Sequence, residues 1–350
     1  MNQHNKDRIW KFWQQLNRAN ELSVAPVARE YLDEAIDWTG SHPLNQLRGW
    51  DAVVANFWQP FMRAFTNLRR ECFVFIGGQF ADKDWVAATG VFSGTFTREW
   101  LGIPASGKTT TIRFGEFNAM RDGKIIETYI LLDLVDVMRQ AGFRVLPPSP
   151  GDENYFPPST GESGILLTSQ NEDESKKSLQ LVEAMAVGLG QFGGADARKM
   201  KQTDFWSPQM HWYGPCGIGA SRNRAEYERN HQTPFLTAFP DRKGFTHPDG
   251  GTHKARFAEG HFIASTGWPS VRATHLGEYL GTPASGKRIG MRVMDFWRRE
   301  NDVLVQNRVF IDLVDLFLQF GVDLFARMEG QKNTYSKKGV NQWLLGSNEE

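Results

Sequence analysis

The chain has no excess of either charge: in 350 residues, Lys and Arg number 40 and so do Asp and Glu. A surface without a dominant sign offers no grip on nucleic acid or an anionic membrane, and points instead to a small neutral or weakly charged ligand. Cysteine is scarce as well. Only Cys72 and Cys216 occur, at positions that do not match in the sequence repeat, so no repeated disulfide or metal site is written and a reducing compartment fits. Long apolar runs are missing too. Met1 to Asn20 is polar and charged, and no later segment approaches the roughly 20 apolar residues that span a bilayer. The expected location is the cytoplasm.

What is plentiful is aromatic surface. Aromatics make up 13% of the chain, with 12 Trp and 25 Phe, which suggests wide apolar walls covered by large side chains.

The chain is organised around a stretch it contains twice. Leu101-Gly-Ile-Pro-Ala-Ser-Gly-Lys108 returns as Leu280-Gly-Thr-Pro-Ala-Ser-Gly-Lys287, an offset of 179 (280 − 101). At that offset Glu99 falls on Glu278, Arg113 on Arg292, Asp133-Leu-Val-Asp136 on Asp312-Leu-Val-Asp315, and Gly142 on Gly321. Upstream, Trp38, Arg48, Pro60, Phe61, Ala64 and Phe65 match Trp212, Arg222, Pro234, Phe235, Ala238 and Phe239 at 174. Copy two has therefore gained five residues between the two blocks, within 240–272. A unit of this length folds around its own core, so the repeat is a duplicated domain and not a solenoid. The expected organisation is copy one over 1–146, a Pro/Gly/acid-rich linker over 147–177, copy two over 178–328 and a polar tail over 329–350.

Within copy one, Ile9, Trp10, Phe12, Trp13 and Leu16 recur at helical spacing, and Val27, Tyr31, Leu32 and Ile36 do so after Pro26. Val53 to Phe65 predicts a longer amphipathic helix. Cys72 to Gly77, Trp85 to Thr97, Thr109 to Met120 and Lys124 to Leu132 read as strands, with Asp122-Gly123 as a hairpin turn. Asp133 to Gly142 reads as a short helix in which Asp133 caps the start and glycine closes the end; Asp312 and Asp315 repeat the cap. Helices followed by antiparallel strands make an α+β unit.

Gly102 to Thr109 satisfies the phosphate-loop pattern G-x-x-x-x-G-K-[ST]. That mechanism needs a helix after the loop, but Thr109-Thr-Thr-Ile-Arg-Phe alternates as a strand, and copy two ends in Lys287-Arg288 without the hydroxyl ligand. A tight connection between strands is expected, and no cofactor. His247-Pro-Asp-Gly-Gly-Thr-His253 lacks the fixed geometry of a metal site and reads as a surface loop.

The doubled Leu-Gly-x-Pro-Ala-Ser-Gly-Lys, Arg121 to Glu127 and Asp133 to Gly142 resemble the SnoaL-like polyketide cyclase family of the nuclear transport factor 2-like superfamily. The resemblance covers most of both copies. It implies two tandem cones, each a curved antiparallel sheet wrapped by N-terminal helices around an apolar pocket. It also implies an intramolecular pseudo-dimer in place of the family's frequent dimer, and leaves a further homo-oligomer open. The family's cyclase aspartate would fall on Ile130 and Val309, its partner histidine on Glu116 and Asp295, and its pocket asparagine on Trp38 and Trp212. The aldol-type chemistry is thus not written in the expected place.

The candidate catalysts are Asp295, His275 and Glu116. Asp295 shares a strand face with Met291 and Val293, and Glu116 with Ile112 and Phe114. A carboxyl on an apolar face resists ionisation and moves toward the range of a general acid or base. His275 stands in Ala273-Thr274-His275, where the family often writes Gly-Thr-His, and an imidazole suits proton transfer. Trp212, Asn307, His211, Trp297 and Trp38 are the expected substrate-binding residues. The expected function is cofactor-independent acid–base chemistry (isomerisation, dehydration or cyclisation) on a small apolar or cyclic carbonyl compound. A non-catalytic ligand-binding or scaffolding protein of the same fold is the alternative.

Overall fold

A computed structural model describes residues 2–191, 197–244 and 247–332. Copy one opens with α1 (Asn2–Leu16) and α2 (Val24–Tyr31), whose apolar stripes Ile9, Phe12, Trp13, Leu16 and Val24, Ala28, Tyr31 are buried. The second stripe does not continue to Ile36 as helix. Leu32 begins strand β1 (Leu32–Gly40), where Ile36 and Trp38 alternate inward at strand period. After β2 (Gln46–Arg48), α3 runs over Trp50–Val53, widens into a π-turn over Val54–Trp58 and continues over Gln59–Ala64. Then come β3 (Phe65–Phe80), β4 (Lys83–Phe96), β5 (Thr109–Arg121), β6 (Lys124–Leu132) and α4 (Leu134–Gln140).

The turn between β5 and β6 needs two left-handed residues, and Asp122 and Gly123 supply φ of 50° and 74°. The phosphate-loop pattern leads into strand β5, as the alternation of Thr109 to Phe114 requires.

The linker is more ordered than its composition implies. Gly164–Ile165 (β7) adds a parallel edge to β3, and Leu166 is buried. Copy two starts before residue 178: α5 (Glu172–Leu189) is capped by Asn171, whose side chain accepts from the N–H groups of Asp173 and Glu174. There follow β8 (Trp206–Tyr213), β9 (Ala220–Ser221) and α6 (Arg224–Tyr227, a π-turn over Glu228–Gln232, then Thr233–Ala238). The copy closes with β10 (His253–Glu259), β11 (Phe262–Thr274), β12 (Arg288–Glu300), β13 (Val303–Ile311) and α7 (Leu313–Phe320). Residues 324–332 are helical, and the rest of the expected tail, 333–350, lies outside the described residues.

Both sheets have the same strand order: β2-β1-β6-β5-β4-β3, extended by β7, and β9-β8-β13-β12-β11-β10. They are mixed, not wholly antiparallel, because β1 runs parallel to β6 and β8 parallel to β13. Copy two's extra length falls in the loop before β10 and in a β11 irregularity between Gly267 and Val271, both within the expected window. Among the described residues, no helix is long and apolar enough to cross a membrane.

Each sheet buries both faces. The inner face packs on its own helices; the outer faces of the two sheets meet each other through Ile76, Ala87, Phe117 and Leu131 from one copy and Phe257, Ala264, Met294 and Phe310 from the other. Phe117 and its equivalent Phe296 (117 + 179) touch, ring centroids 5.4 Å apart, so a pseudo-two-fold axis passes between them. Close approach needs small residues: a Cβ on Gly78 would lie 2.3 Å from the Phe257 ring.

The cap aspartates serve this symmetry. Asp133 Oδ1 accepts from Asp136 N–H, and Asp312 Oδ1 from Asp315 N–H, each at 3.2 Å. The second oxygen reaches the other copy: Asp133 Oδ2 accepts from Cys216 N–H and Asp312 Oδ2 from His42 N–H, both at 2.9 Å. His42 and Cys216 are themselves equivalent (216 − 42 = 174). Truncating Asp133 or Asp312 to alanine is therefore expected to remove a cap and orphan an N–H at the join. Each change should cost about 2–3 kcal/mol in urea melts.

Candidate functional site

The inner faces of the two sheets are built on one pattern and end differently. In copy one the concave side is full. Trp58, Phe61, Phe92 and Phe114 pack together, Phe61 and Phe92 edge to face at 5.3 Å and Phe92 and Phe114 at 4.8 Å. Into them projects Arg70, its guanidinium 4.3 Å over Trp13 and 4.6 Å over both Phe92 and Phe114. Arg70 Nη1 lies 2.7 Å from Glu116 Oε2, with both side chains almost wholly buried. The contact is ionic, out of line for a directed hydrogen bond. Glu116 Oε1 accepts from Asn118 Nδ2 at 2.8 Å, and Thr128 donates to Asn118 Oδ1 at 2.8 Å. Glu116 is thus held by a cation, not left as the unpaired carboxyl on an apolar face that its strand pattern predicts. Trp38 is core, 4.8 Å from Phe57 and 3% exposed, not a substrate contact.

Copy two carries smaller side chains at the same places: Gln232 for Trp58, Val271 for Phe92 and Val293 for Phe114. The volume they leave is a cavity of about 210 Å³. Its walls are mostly apolar, from Met185 and Leu189 of α5, Tyr227 and Phe235 of α6, and Met291, Val293, Val309 and Ile311 of the sheet. Four of the expected residues line it together: Asp295, Asn307, Trp212 and Trp297.

Among the described residues Asp295 has no ion-pair partner. Its one hydrogen bond is at Oδ1, which accepts from Asn307 Nδ2 at 3.3 Å. The residue keeps partial accessible surface, which opens on the cavity it lines. Burial pushes its carboxyl up to about 7, and the Asn307 hydrogen bond opposes that only in part. The residue that pairs with the acid in copy one has no counterpart in copy two. Copy one bears Arg70 two residues before Cys72, which pairs with Gly90; copy two bears Gly251 two residues before His253, which pairs with Gly267.

Two of the expected residues point elsewhere. His275 is fully buried but does not line the cavity: its ring stacks on Phe320 with centroids 3.8 Å apart, and Nδ1 meets Ser285 Oγ at 3.1 Å. Its backbone bonds both ways with the repeated loop, as Phe96 does in copy one. It pins that loop. His211 lies on β8 between Met210 and Trp212, and strand alternation turns it to the opposite face, near Tyr155 and Tyr213.

The cavity also brings in His231, Tyr227, Gln232, Arg242, His253, Ser265 and Ser270, which sequence reasoning left out. Tyr227, His231 and Phe235 recur every four residues along α6, a helical stripe that reads from sequence as core and nothing more. His231 stacks on Trp212, centroids 4.2 Å apart and 17° from parallel. Burial holds its imidazole down near 3, so it is neutral at physiological pH. Burial likewise lowers His253 to about 3 and Arg242 to about 10, which leaves Arg242 charged. His253 is the first residue of β10 and faces the cavity, not a metal loop. No cluster of three metal-ligating side chains occurs among the described residues.

Two measurements follow from these environments. Arg70→Met should strand Glu116 and cost about 3–5 kcal/mol in urea melts, most of it recovered in the Arg70→Met/Glu116→Gln double variant. Asp295 has a folded pKa above its unfolded one, so its protonated form stabilises the fold at low pH, and that contribution is lost as pH rises through about 7. Asp295→Asn should therefore gain stability over the wild type between pH 5 and pH 8.5, by on the order of 2 kcal/mol.

Comparison with known proteins places the chain. The family model for SnoaL-like polyketide cyclase matches residues 8–141 and 200–320. No curated protein matches. Solved structures similar to one copy include a protein provisionally named SnoaL-like polyketide cyclase from Jannaschia sp. CCS1. It is 19% identical, with 40% of this chain and 92% of that one covered and a TM-score of 0.34. AclR from Streptomyces galilaeus, provisionally named a hydroxylase, is 22% identical, with 42% and 97% covered and a TM-score of 0.33. IdmH from Streptomyces antibioticus, provisionally named a polyketide cyclase, is 21% identical, with 41% and 99% covered and a TM-score of 0.33. With its two matched regions spanning most of its length, this chain belongs to the SnoaL-like polyketide cyclase family, as a tandem duplication.

Proposed function

We propose that copy two is a cofactor-independent acid–base enzyme of cyclase or isomerase type, and that copy one is its pseudo-dimer partner with the concave side filled. Asp295 is the base. The observation that carries this reading is a carboxyl pushed up to about 7 in an apolar cavity, with Asn307 as its one hydrogen-bond partner among the described residues. A base poised near the working pH combines a useful ionised fraction with enough proton affinity to abstract from carbon. Asp295 stands directly opposite Val309 across β12 and β13. By the resemblance, Val309 is where the family's aspartate would fall, so the acidic function has moved to the neighbouring strand within the same pocket.

In this mechanism the carboxylate takes a proton from the carbon next to a carbonyl. The electron pair moves onto the carbonyl oxygen to give an enolate, and the proton then returns to carbon at the same or a conjugated position. Return at a conjugated position is isomerisation; attack of the enolate on a second carbonyl is cyclisation. Trp212, Trp297, Tyr227 and Phe235 form the walls against which a flat or cyclic compound packs. A cavity of ~150 Å³ accepts benzene, so about 210 Å³ suits one substituted ring or a compact bicycle. That is smaller than a multi-ring polyketide.

The test is exchange of α-hydrogens with solvent. 2-Tetralone is incubated with the protein in deuterium oxide and followed by NMR. The wild type should accelerate exchange, with a rate that rises with pH and levels above about 7. Asp295→Asn should reduce the acceleration at least about 100-fold while the ketone still quenches tryptophan fluorescence. Exchange at the wild-type rate in Asp295→Asn would refute the assignment.

A further inference from the structure

Copy one and copy two share a π-turn at the same place in their long helices, over Val54–Trp58 and Glu228–Gln232. A π-turn costs hydrogen-bond geometry, and such turns collect at functional sites. In copy one it carries Phe57, which stacks on Phe61 and tilts against Trp38 in solid core. In copy two the equivalent residue is His231 (231 − 57 = 174), which lies on the equivalent Trp212, stacked where the Phe57–Trp38 pair is tilted. A phenyl ring would fill that place. The chain instead places there an imidazole that keeps partial accessible surface, and among the described residues neither ring nitrogen has a hydrogen-bond partner; Nδ1 is sealed from solvent, and Nε2 is the nitrogen left with surface. A polar ring with no partner, at a place that takes a phenyl ring in copy one, is costly to keep unless its accessible nitrogen meets a ligand.

The position is chemically specific. Trp212, on which His231 lies, is the strand neighbour of Asn307, and Asn307 donates to Asp295. His231 and Asp295 therefore line the same small cavity, with Trp212 and Asn307 between them. Resting on the acid–base reading of that cavity, we propose that His231 is a second catalytic residue, donating a hydrogen bond to the carbonyl oxygen of the ketone that Asp295 deprotonates.

The division of labour follows from the two environments. Held near 3 by burial, His231 does not become imidazolium at working pH and does not compete with Asp295 for the α-proton. One ring N–H remains to be aimed at the substrate oxygen. As the α-proton passes to the Asp295 carboxylate, charge gathers on that oxygen, and a fixed donor in a mostly apolar pocket stabilises the enolate more than the ketone. His231 keeps its own proton throughout, and the proton on Asp295 returns to carbon. The other titratable groups in this wall are Tyr227, Arg242 and His253.

The experiment uses the full chain and 2-tetralone exchange in deuterium oxide. His231→Phe restores the aromatic ring that copy one carries, so a flat ring of similar size still covers Trp212 while the hydrogen-bond donor is lost. It should lower kcat about 100-fold and change KM less than about threefold. His231→Gln, which keeps an N–H donor, should stay within about tenfold of the wild type. The pH profile should show the single Asp295 ionisation in wild type and His231→Phe alike. Wild-type kcat in folded His231→Phe would overturn the proposal. So would His231→Gln falling as low as His231→Phe, or a second ionisation that disappears with His231. Loss of exchange in Asp295→Asn alongside a normal His231→Phe would sink the His231 role alone; normal exchange in Asp295→Asn would sink the reading beneath it.

Discussion

A sheet with two apolar faces has to be covered twice, and the rest of this molecule follows from how that is done. The helices of each copy cover one face. The other is covered by the second copy, with Phe117 against its own equivalent Phe296 and Gly78 admitting Phe257 to the backbone. Alternation along the strands makes this possible: Phe117 and Met294 face outward while Glu116 and Asp295 face the cone of their own copy. The reciprocal caps add direction, since Asp133 and Asp312 each spend one oxygen on their own helix and one on the other copy.

Because the outer faces must keep matching each other, the inner faces have been freer to diverge. Copy one took bulk and charge compensation: Trp58, Phe92 and Phe114 close the cone, and Arg70 neutralises Glu116. Copy two took the reverse at each of these places. Smaller side chains opened a cavity, and Gly251 stands where copy one has Arg70, the cation that pairs its acid. The same acidic position is thus a structural ion pair in one half and a group poised near neutrality in the other. A buried charge with a partner stays ionised, and one without a partner is driven toward its neutral form.

The duplication, the α+β class, the strand sequence, the hairpin at Asp122-Gly123 and the capping aspartates were legible in the chain, because each rests on local pattern or on self-similarity. So was Asp295, from its place on an apolar strand face. Val27, Tyr31, Leu32 and Ile36 misled because their spacing of four, one and four fits a helix, while Leu32 and Ile36, an even number apart, also share a strand face, and tertiary pairing with β6 decided. His275 misled because a histidine in a familiar motif says nothing about which way its ring turns. His231 was missed because an i, i+4, i+8 stripe looks the same whether it packs on core or borders a void.

The sequence by itself determined that one fold was written twice and that an acid lies on the concave face of each copy, since periodicity and register are properties of the chain. Only the tertiary structure decided which acid is paired, which cone is hollow and which histidine enters it. Those outcomes depend on volumes and charges brought from strands and helices distant in sequence. Arg70 and Glu116 lie 46 residues apart (116 − 70) yet meet at 2.7 Å, and nothing in either segment alone announces the other.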